Sequence, residues 1–140
     1  MAGTPRPFYG EFAWAFDLLI DRPVAKECTA IAGWLVERGV FPGARLLDAG
    51  CGTGRYAIEL GRRGYVVEGV DQSPELVDVA KRSAIHQPGS VAFHVGDLRA
   101  LPDHGTMQFS VAVFSTISSI RAAAKRCSAP LLALFEADAC

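Results

Sequence analysis

The sequence predicts an α/β fold, in which helices cover a mostly parallel sheet. Three short apolar segments each lead to an acidic residue, at Asp48, Asp71 and Asp97. Segments with helical signals lie between these strands, and a glycine-rich turn joins the first strand to its helix. Alternating strands and helices form parallel sheets with right-handed crossovers. We therefore expect the acidic strand ends to meet at one edge, where such sheets bind ligands.

The bulk composition is that of one globular domain. The chain has 140 residues, of which 50% are hydrophobic and 21% charged, with a net charge of -1. Without a basic block we expect no nucleic-acid partner, and no apolar run approaches the roughly 18 residues of a membrane span. The N-terminus lacks a secretory pattern. The cysteines are scattered, without metal-ligand spacing, which predicts free thiols, no metal site and a cytoplasmic protein.

Two helices are predicted before the first strand. Residues 8–20 carry aromatic and aliphatic side chains at helical spacing. Pro23 suits the first turn of a second helix, which places Ile31 and Leu35, with Trp34, on one face. Gly39 is the predicted end of this helix.

Each element of the alternating region has its own signal. In chain order these elements are strand 44–50, helix 55–64, strand 65–71, helix 73–84 and strand 90–97. Gly64 is expected to end the first helix. Ser73 is expected to cap the second, with Glu75 in its first turn. The last strand alternates between apolar and polar residues before it reaches Asp97.

The turn after the first strand has the composition of a ligand-binding loop. It reads DAGCGTG, with glycines at positions 50, 52 and 54. Glycine adopts backbone angles that other residues avoid and lets a ligand approach the main chain. A tight strand-to-helix turn is the simpler interpretation. The context favours a ligand, because Asp71 follows at the interval of about 20 residues where nucleotide-binding sheets place a ribose-binding acid.

The glycine spacing differs from that of dinucleotide-binding enzymes. Arg55 occupies the position where the third glycine of G-x-G-x-x-G would fall. An acid at the strand end suits a cationic ligand and repels the pyrophosphate that such enzymes place on a helix N-terminus. S-adenosylmethionine (SAM) carries an amino-acid end, a sulfonium and a ribose but no phosphate. The spacing favours SAM and leaves a nucleotide-dependent oxidoreductase as the less favoured alternative.

Residues 44–102 resemble the first three strand-helix units of class I SAM-dependent methyltransferases. The motifs that carry the resemblance are LLDAGCGTGRYAIELGRRGYVVEGVDQSPELVDVAKR and VAFHVGDLRALP. The stretch FYGEFAWAFDLLID resembles the lid segment that precedes this domain in many members. The resemblance implies a Rossmann-like parallel sheet, incomplete in its C-terminal half. It divides the chain into a helical lid at 1–43, a SAM-binding core at 44–105 and an atypical tail at 106–140.

The resemblance also implies which residues bind the methionine end of SAM. In this reading Asp48 and the backbone of Gly50, Cys51 and Gly52 hold it, and Gly54 completes the loop. The resemblance assigns no catalytic base.

The resemblance assigns the adenosine end of SAM to residues at the ends of the second and third strands. Asp71 is expected to accept hydrogen bonds from the ribose hydroxyls, with Gln72 beside the adenine. Asp97 is expected to accept from the adenine amino group, and Leu98 to donate its backbone N–H to the ring. Tyr9 is expected to close over the cofactor.

The remaining polar residues are read as structural or solvated. Asp78, Glu59 and Glu68 are expected to be solvated charges, and the histidines have no metal-ligand spacing. The composition does not identify the methyl acceptor. A small molecule is the expected acceptor, because the near-neutral charge argues against a nucleic acid.

The family pattern stops after Pro102 in the sequence. The next strand of such domains usually begins with an aromatic-Asp pair, which is absent here. Our hypothesis is a shifted reading frame. Allowed codons from Thr106 onward, shifted by two bases, yield D-A-V-L and then V-L-N-D-L-I-D, and a GGT codon for Gly105 adds the preceding Tyr to give Y-D-A-V-L. A truncated, non-catalytic SAM-binding remnant is then the alternative to an enzyme. Reading the gene around the Gly105 codon tests the hypothesis, and an uninterrupted frame that matches this tail across related genes would contradict it.

Overall fold

A computed structural model describes residues 10–15 and 23–97, together with the backbone of 111–114. Its elements are a short 3-10 helix Ala13–Ala15, α1 Ala25–Glu37, β1 Arg45–Ala49, α2 Arg55–Arg62, β2 Val66–Asp71, α3 Pro74–Ala84, β3 Ser90–Val95 and β4 Val111–Phe114. The predicted order of strands and helices is confirmed from the second predicted helix to the third strand. Of the helix predicted at 8–20, the described part contains only the short 3-10 helix. No helix in the described ranges is long and apolar enough to cross a membrane.

The sheet is parallel throughout its described strands, with the order β3-β2-β1-β4. The chain steps outward from β1 to β3 and then returns to place β4 on the other side of β1. The direction of winding therefore reverses between β1 and β4. In open α/β sheets this reversal opens a crevice beyond the carboxyl ends of the strands, where ligands bind.

All three described helices pack against one face of the sheet. The strand residues of this face are Leu46, Val67 and Phe93, one from each of β1, β2 and β3, and all are buried. The helix residues that complete the core are Cys28, Ile31, Leu35, Ala57, Ile58, Leu60, Val77 and Ala80. Burial of this continuous apolar layer holds the helices against the sheet. The predicted apolar face of α1 is confirmed at Ile31 and Leu35.

The predicted helix ends are largely confirmed. Gly39 and Gly64 follow α1 and α2 with φ of 79° and 94°, in the left-handed region that favours glycine. Ser73 precedes α3, and its hydroxyl accepts a hydrogen bond from the Leu76 N–H at 3.1 Å. Pro23 does not lie in the first turn of α1, because the helix begins only at Ala25.

The Ser73 cap should contribute measurably to stability. Replacement of Ser73 by alanine leaves the Leu76 N–H without its acceptor, and we expect it to lower the free energy of unfolding by about 1 kcal/mol. Ser83, exposed near the end of the same helix, provides the matched control. Urea unfolding should show Ser83→Ala unchanged or slightly stabilised. Equal losses for the two variants would contradict the capping role.

The expectation that Glu68 is a solvated charge is wrong. Glu68 lies on β2, between β1 and β3, and its relative exposure is 8%. Arg45 on β1 donates to its Oε1 at 2.9 Å, and the Nε2 of His94 on β3 lies 3.8 Å from its Oε2. Glu59 is likewise mostly buried and pairs with Arg62 of its own helix and with Arg63, which follows the helix. Asp78 is exposed, as expected.

Candidate functional site

The three acidic residues singled out in the sequence lie at the same edge of the sheet. Asp48 lies near the end of β1, Asp71 ends β2, and Asp97 follows β3 by two residues. The parallel register pairs Ala49 with Val70, and Asp71 with Val95, so the strands end side by side. This edge faces the crevice at the reversal of winding and is the candidate site.

The glycine loop bends back over β2 and uses its backbone donors there. The N–H groups of Gly50 and Cys51 both donate to the Val70 carbonyl, at 2.7 and 3.1 Å. The N–H of Gly52 donates to Asp71 Oδ2 at 2.9 Å. Three successive amides of the loop are thereby engaged within the protein. They are not directed outward as the amides of a phosphate-binding loop are.

Gly52 leaves room for a ligand beside the loop. Its φ is 53°, and a Cβ built at this position would meet nothing within 4 Å. A side chain there would have both to adopt the left-handed region and to fill the open space. Glycine at this position therefore lets a ligand approach the main chain.

Asp71 connects the glycine loop to the start of α3. Besides the bond from Gly52, its Oδ1 accepts a hydrogen bond from the Ser73 N–H at 2.9 Å. The residue as a whole is half-buried. A carboxylate oxygen has two lone pairs, so each oxygen retains one acceptor site for a ligand. This structural function of Asp71 was not anticipated from the sequence.

Asp48 is almost completely buried, with a relative exposure of 3%. It accepts a hydrogen bond from the Ala57 N–H in the first turn of α2. Gly54 precedes this helix and has no side chain to cap it, so Asp48 supplies an acceptor from the adjacent strand. Its Oδ2 is buried without a hydrogen-bond partner in the part of the chain that the structure describes. Burial, and secondly the charge of Asp71, raise the pKa of Asp48 from 3.8 to about 7, against the opposing effect of the Ala57 bond.

Phe93 supports the loop from the helix-covered face of the sheet. A Cβ on Gly54 would lie 2.5 Å from Phe93 Cζ, and one on Gly69 would lie 2.6 Å from Phe93 Cδ1. The aromatic ring therefore occupies the space that two glycines leave empty. Sequence reasoning missed Phe93. The available signal was Gly69, since a glycine inside a strand often marks a close approach of another group.

The other predicted site residues are placed as follows. Cys51 is buried, and burial raises the pKa of its thiol. Gln72 is exposed next to Asp71, and Asp97 is half-buried at the end of β3. Tyr9 and Leu98 lie outside the described residues. Within residues 10–15 and 23–97, no cluster of His, Cys, Asp and Glu could hold a metal ion.

The chemistry of this edge suits a cationic ligand better than a phosphorylated one. Asp48 and Asp71 supply acceptor oxygens, one of them buried and unpartnered among the described residues, and a Cβ built at Gly52 would meet nothing within 4 Å. Ammonium and hydroxyl groups are the donors that such oxygens bind. The fold and this edge define a Rossmann-like cofactor-binding domain.

Comparison with known proteins identifies the family. A profile described as a methyltransferase domain matches residues 46–132, more than half of the chain. The chain belongs to the class I SAM-dependent methyltransferase family.

Individual relatives are similar over part of their length. The chain is 50% identical over 76 residues to a magnesium-protoporphyrin O-methyltransferase of Rhodobacter capsulatus. The aligned region covers 54% of this chain and 34% of the relative. A SAM-bound amino pentose methyltransferase from Micromonospora echinaspora has a TM-score of 0.58 at 26% identity, over 73% of this chain and 44% of that one. The magnesium protoporphyrin IX methyltransferase of Synechocystis PCC 6803 with bound S-adenosylhomocysteine has a TM-score of 0.60 at 24% identity and shows the fold alone; the match covers 74% of this chain and 52% of that one. The chain thus spans about a third to a half of the length of these proteins.

The family match also extends further than the sequence analysis placed it. It continues to residue 132, past Pro102, where the sequence pattern was expected to stop. In the described backbone, β4 at Val111–Phe114 pairs in parallel with β1 over four residues. The segment therefore contributes a strand where the family fold needs one. The frame-shift hypothesis for the residues after Gly105, and the three domain boundaries, stay predictions.

Proposed function

We propose that this chain binds SAM at the edge formed by Asp48, the loop from Gly50 to Gly54, and Asp71, and that it transfers the methyl group to a small-molecule acceptor. The observation that carries the proposal is the direction of the loop amides. Those of Gly50 and Cys51 point to Val70, and that of Gly52 points to Asp71. The edge is therefore richer in acceptors than in donors, which suits an ammonium and ribose hydroxyls and disfavours a pyrophosphate.

The methionine end of the cofactor is assigned to the β1 side of the site. The unpartnered Oδ2 of Asp48 provides an acceptor for the ammonium group. The open space beside Gly52 accommodates the adjoining part of the ligand.

The adenosine is assigned to the β2 and β3 side. The remaining lone pairs of Asp71 would accept from the ribose hydroxyls, with Gln72 along the adenine. Asp97 would accept from the adenine amino group beside the N–H of Leu98. Tyr9 is proposed to close over the bound cofactor. These assignments come from the family resemblance.

The reaction proposed for this site is a direct displacement. When bound, SAM supplies a methyl group on a positively charged sulfur, which leaves as a neutral thioether. The acceptor supplies the electron pair of the new bond. The protein residues contribute by orienting the cofactor, since holding two reactants in line accounts for a large part of such a rate enhancement.

A small molecule is the proposed acceptor. The relatives named above include enzymes whose acceptors are a magnesium porphyrin and an amino pentose. The net charge of -1 offers no basis for attraction to nucleic acid. A cytoplasmic location is proposed from the free, buried thiols of Cys28 and Cys51.

Calorimetric titration with S-adenosylhomocysteine (SAH) and with NADH tests the cofactor class. We expect SAH to bind with a dissociation constant of about 1 μM, which corresponds to roughly 8 kcal/mol. NADH should bind at least about tenfold more weakly, because its pyrophosphate would face carboxylates and engaged amides. Tighter binding of NADH would contradict the proposal and favour the oxidoreductase.

Methyl transfer is tested separately, by following conversion of SAM to SAH with a panel of small-molecule acceptors. Turnover would support the enzyme assignment. Binding of SAH without turnover on any acceptor would support the cofactor-binding remnant.

A further inference from the structure

The carboxyl group of Asp48 is buried among groups that do not neutralise a negative charge. On the strand side, β2 places Asp71 close enough for its charge to act on Asp48. The glycine loop places the Cys51 thiol beside both carboxyl groups. The neighbouring strand β4 has the sequence VAVF and contributes no titratable group.

Among the described residues, the helix side adds no counter-charge that acts on Asp48. From α1 it faces the thiol of Cys28, and from α2 it receives the Ala57 N–H. Arg63, near Cys28, pairs with Glu59 at 3.1 Å. Arg55 and Tyr56 also lie in the first turn of α2, but the charge that acts on Asp48 is the negative one of Asp71. One hydrogen bond from a helix N-terminus thus offsets only part of the cost of burying a negative charge at Asp48.

Within the part of the chain that the structure describes, Oδ2 of Asp48 is the atom at which a hydrogen-bond donor or a positive charge is missing. It is buried and has no hydrogen-bond donor among the described residues. In such surroundings the ionised form of a carboxyl group is strongly disfavoured, and the group retains its proton. An ammonium group placed at this oxygen supplies both the positive charge and the donor that the free site lacks. The ionised form of Asp48 then becomes the favoured one.

We propose that Asp48 is a specificity-determining residue that exchanges its proton for the ammonium group of the cofactor, so that binding of an adenosyl amino acid releases a proton to solvent. This inference rests on the proposed function. In the exchange, the O–H bond of the neutral carboxyl breaks and the proton goes to the buffer. The ligand ammonium keeps all its protons and pairs with the carboxylate, and no electrons are transferred. Adenosyl ligands without an amino group gain nothing from Asp48.

Titration of the full chain with SAH at pH 6.5, in buffers of different protonation enthalpy, measures the released protons. We expect release of at least about half a proton per SAH bound, and an affinity that rises with pH up to about 7 and then levels off. The comparison ligand is 5′-deoxy-5′-methylthioadenosine, which retains the adenosine and thioether but lacks the amino group. It should bind without proton release.

Asp48→Asn removes the titrating group and keeps an oxygen that can accept from the Ala57 N–H. We expect this variant to bind SAH about tenfold more weakly and without proton release, while its affinity for methylthioadenosine stays that of the unmodified chain. That unchanged affinity also shows that the variant is folded. Asp78→Asn, at an exposed carboxylate of α3, is the matched control and should release protons as the unmodified chain does.

The outcomes separate this inference from the proposed function. SAH binding with the same enthalpy in every buffer would overturn the proton exchange and leave the SAM site intact. Equal proton release from Asp48→Asn and the unmodified chain would also overturn it. Failure of the folded chain to bind SAH at all would overturn the proposed function, and the exchange with it.

Discussion

Replacement of Asp71 by alanine is expected to weaken SAH binding by about 100-fold or more. The carboxylate has two separate functions in the proposed site. It would accept hydrogen bonds from the ribose hydroxyls, and a hydrogen bond to a charged group contributes about 1.5–3 kcal/mol. It also accepts the N–H groups of Gly52 and Ser73, both at 2.9 Å, which hold the loop and the start of α3 in position. Loss of the side chain removes both contributions.

Calorimetry with SAH, together with urea unfolding, measures the two functions of Asp71. Asp78→Ala serves as the control, because Asp78 is an exposed carboxylate on the helix that follows. Its SAH affinity should stay within about twofold of the unmodified chain, since substitutions at exposed positions change little. A folded Asp71→Ala chain with unchanged SAH affinity would show that Asp71 serves only the loop, and it would contradict the ribose assignment.

The position of the site could be predicted from the sequence because it depends on chain direction more than on detailed packing. Parallel strands place their carboxyl ends at one edge, so Asp71 and Asp97 were expected to meet as soon as the strands were recognised. Helix limits at Ser73 and Gly64 were also predictable, because capping depends on local geometry. Such features follow from short stretches of sequence.

The environment of the charged residues could not be predicted in the same way. Glu68 was expected in solvent, yet Arg45 and His94 approach it from two neighbouring strands, and this requires the register of the sheet. Asp48 accepts from the Ala57 N–H only because the fold brings the first turn of α2 to the end of β1. The engagement of the loop amides by Val70 depends on where β2 ends relative to the loop. These are long-range contacts, for which a single sequence carries no direct signal.

Replacement of Gly54 by alanine is expected to lower the free energy of unfolding by about 3 kcal/mol, for two reasons. The backbone φ of Gly54 is 79°, which costs a residue with a Cβ roughly 1–2 kcal/mol. The new Cβ would also lie 2.5 Å from Phe93 Cζ and 3.0 Å from the Cβ of Ala80. Overpacking of this kind costs typically 1–3 kcal/mol. Urea unfolding monitored by circular dichroism measures the sum.

Two other glycines separate these contributions. Gly39 has the same φ of 79°, but a Cβ there would meet nothing within 4 Å, so Gly39→Ala should show the backbone cost alone. Gly69 lies inside β2 and is not among the glycines with positive φ, but its Cβ would lie 2.6 Å from Phe93 Cδ1. Gly69→Ala should therefore show the packing cost alone. A loss for Gly54→Ala no larger than that for Gly39→Ala would contradict the contact with Phe93.

A second substitution tests whether Phe93 sets the position of the loop. Phe93→Leu removes the ring atoms that a Cβ on Gly54 would meet, at a cost to stability smaller than that of truncation to alanine. In the Phe93→Leu background, Gly54→Ala should cost less than in the unmodified chain. The backbone strain and the 3.0 Å approach to the Cβ of Ala80 remain, but the overlap with the aromatic ring is gone. Such coupling between the two positions is expected for residues in direct contact. An unchanged cost of Gly54→Ala in the two backgrounds would mean that the aromatic ring does not limit how closely the loop approaches the sheet.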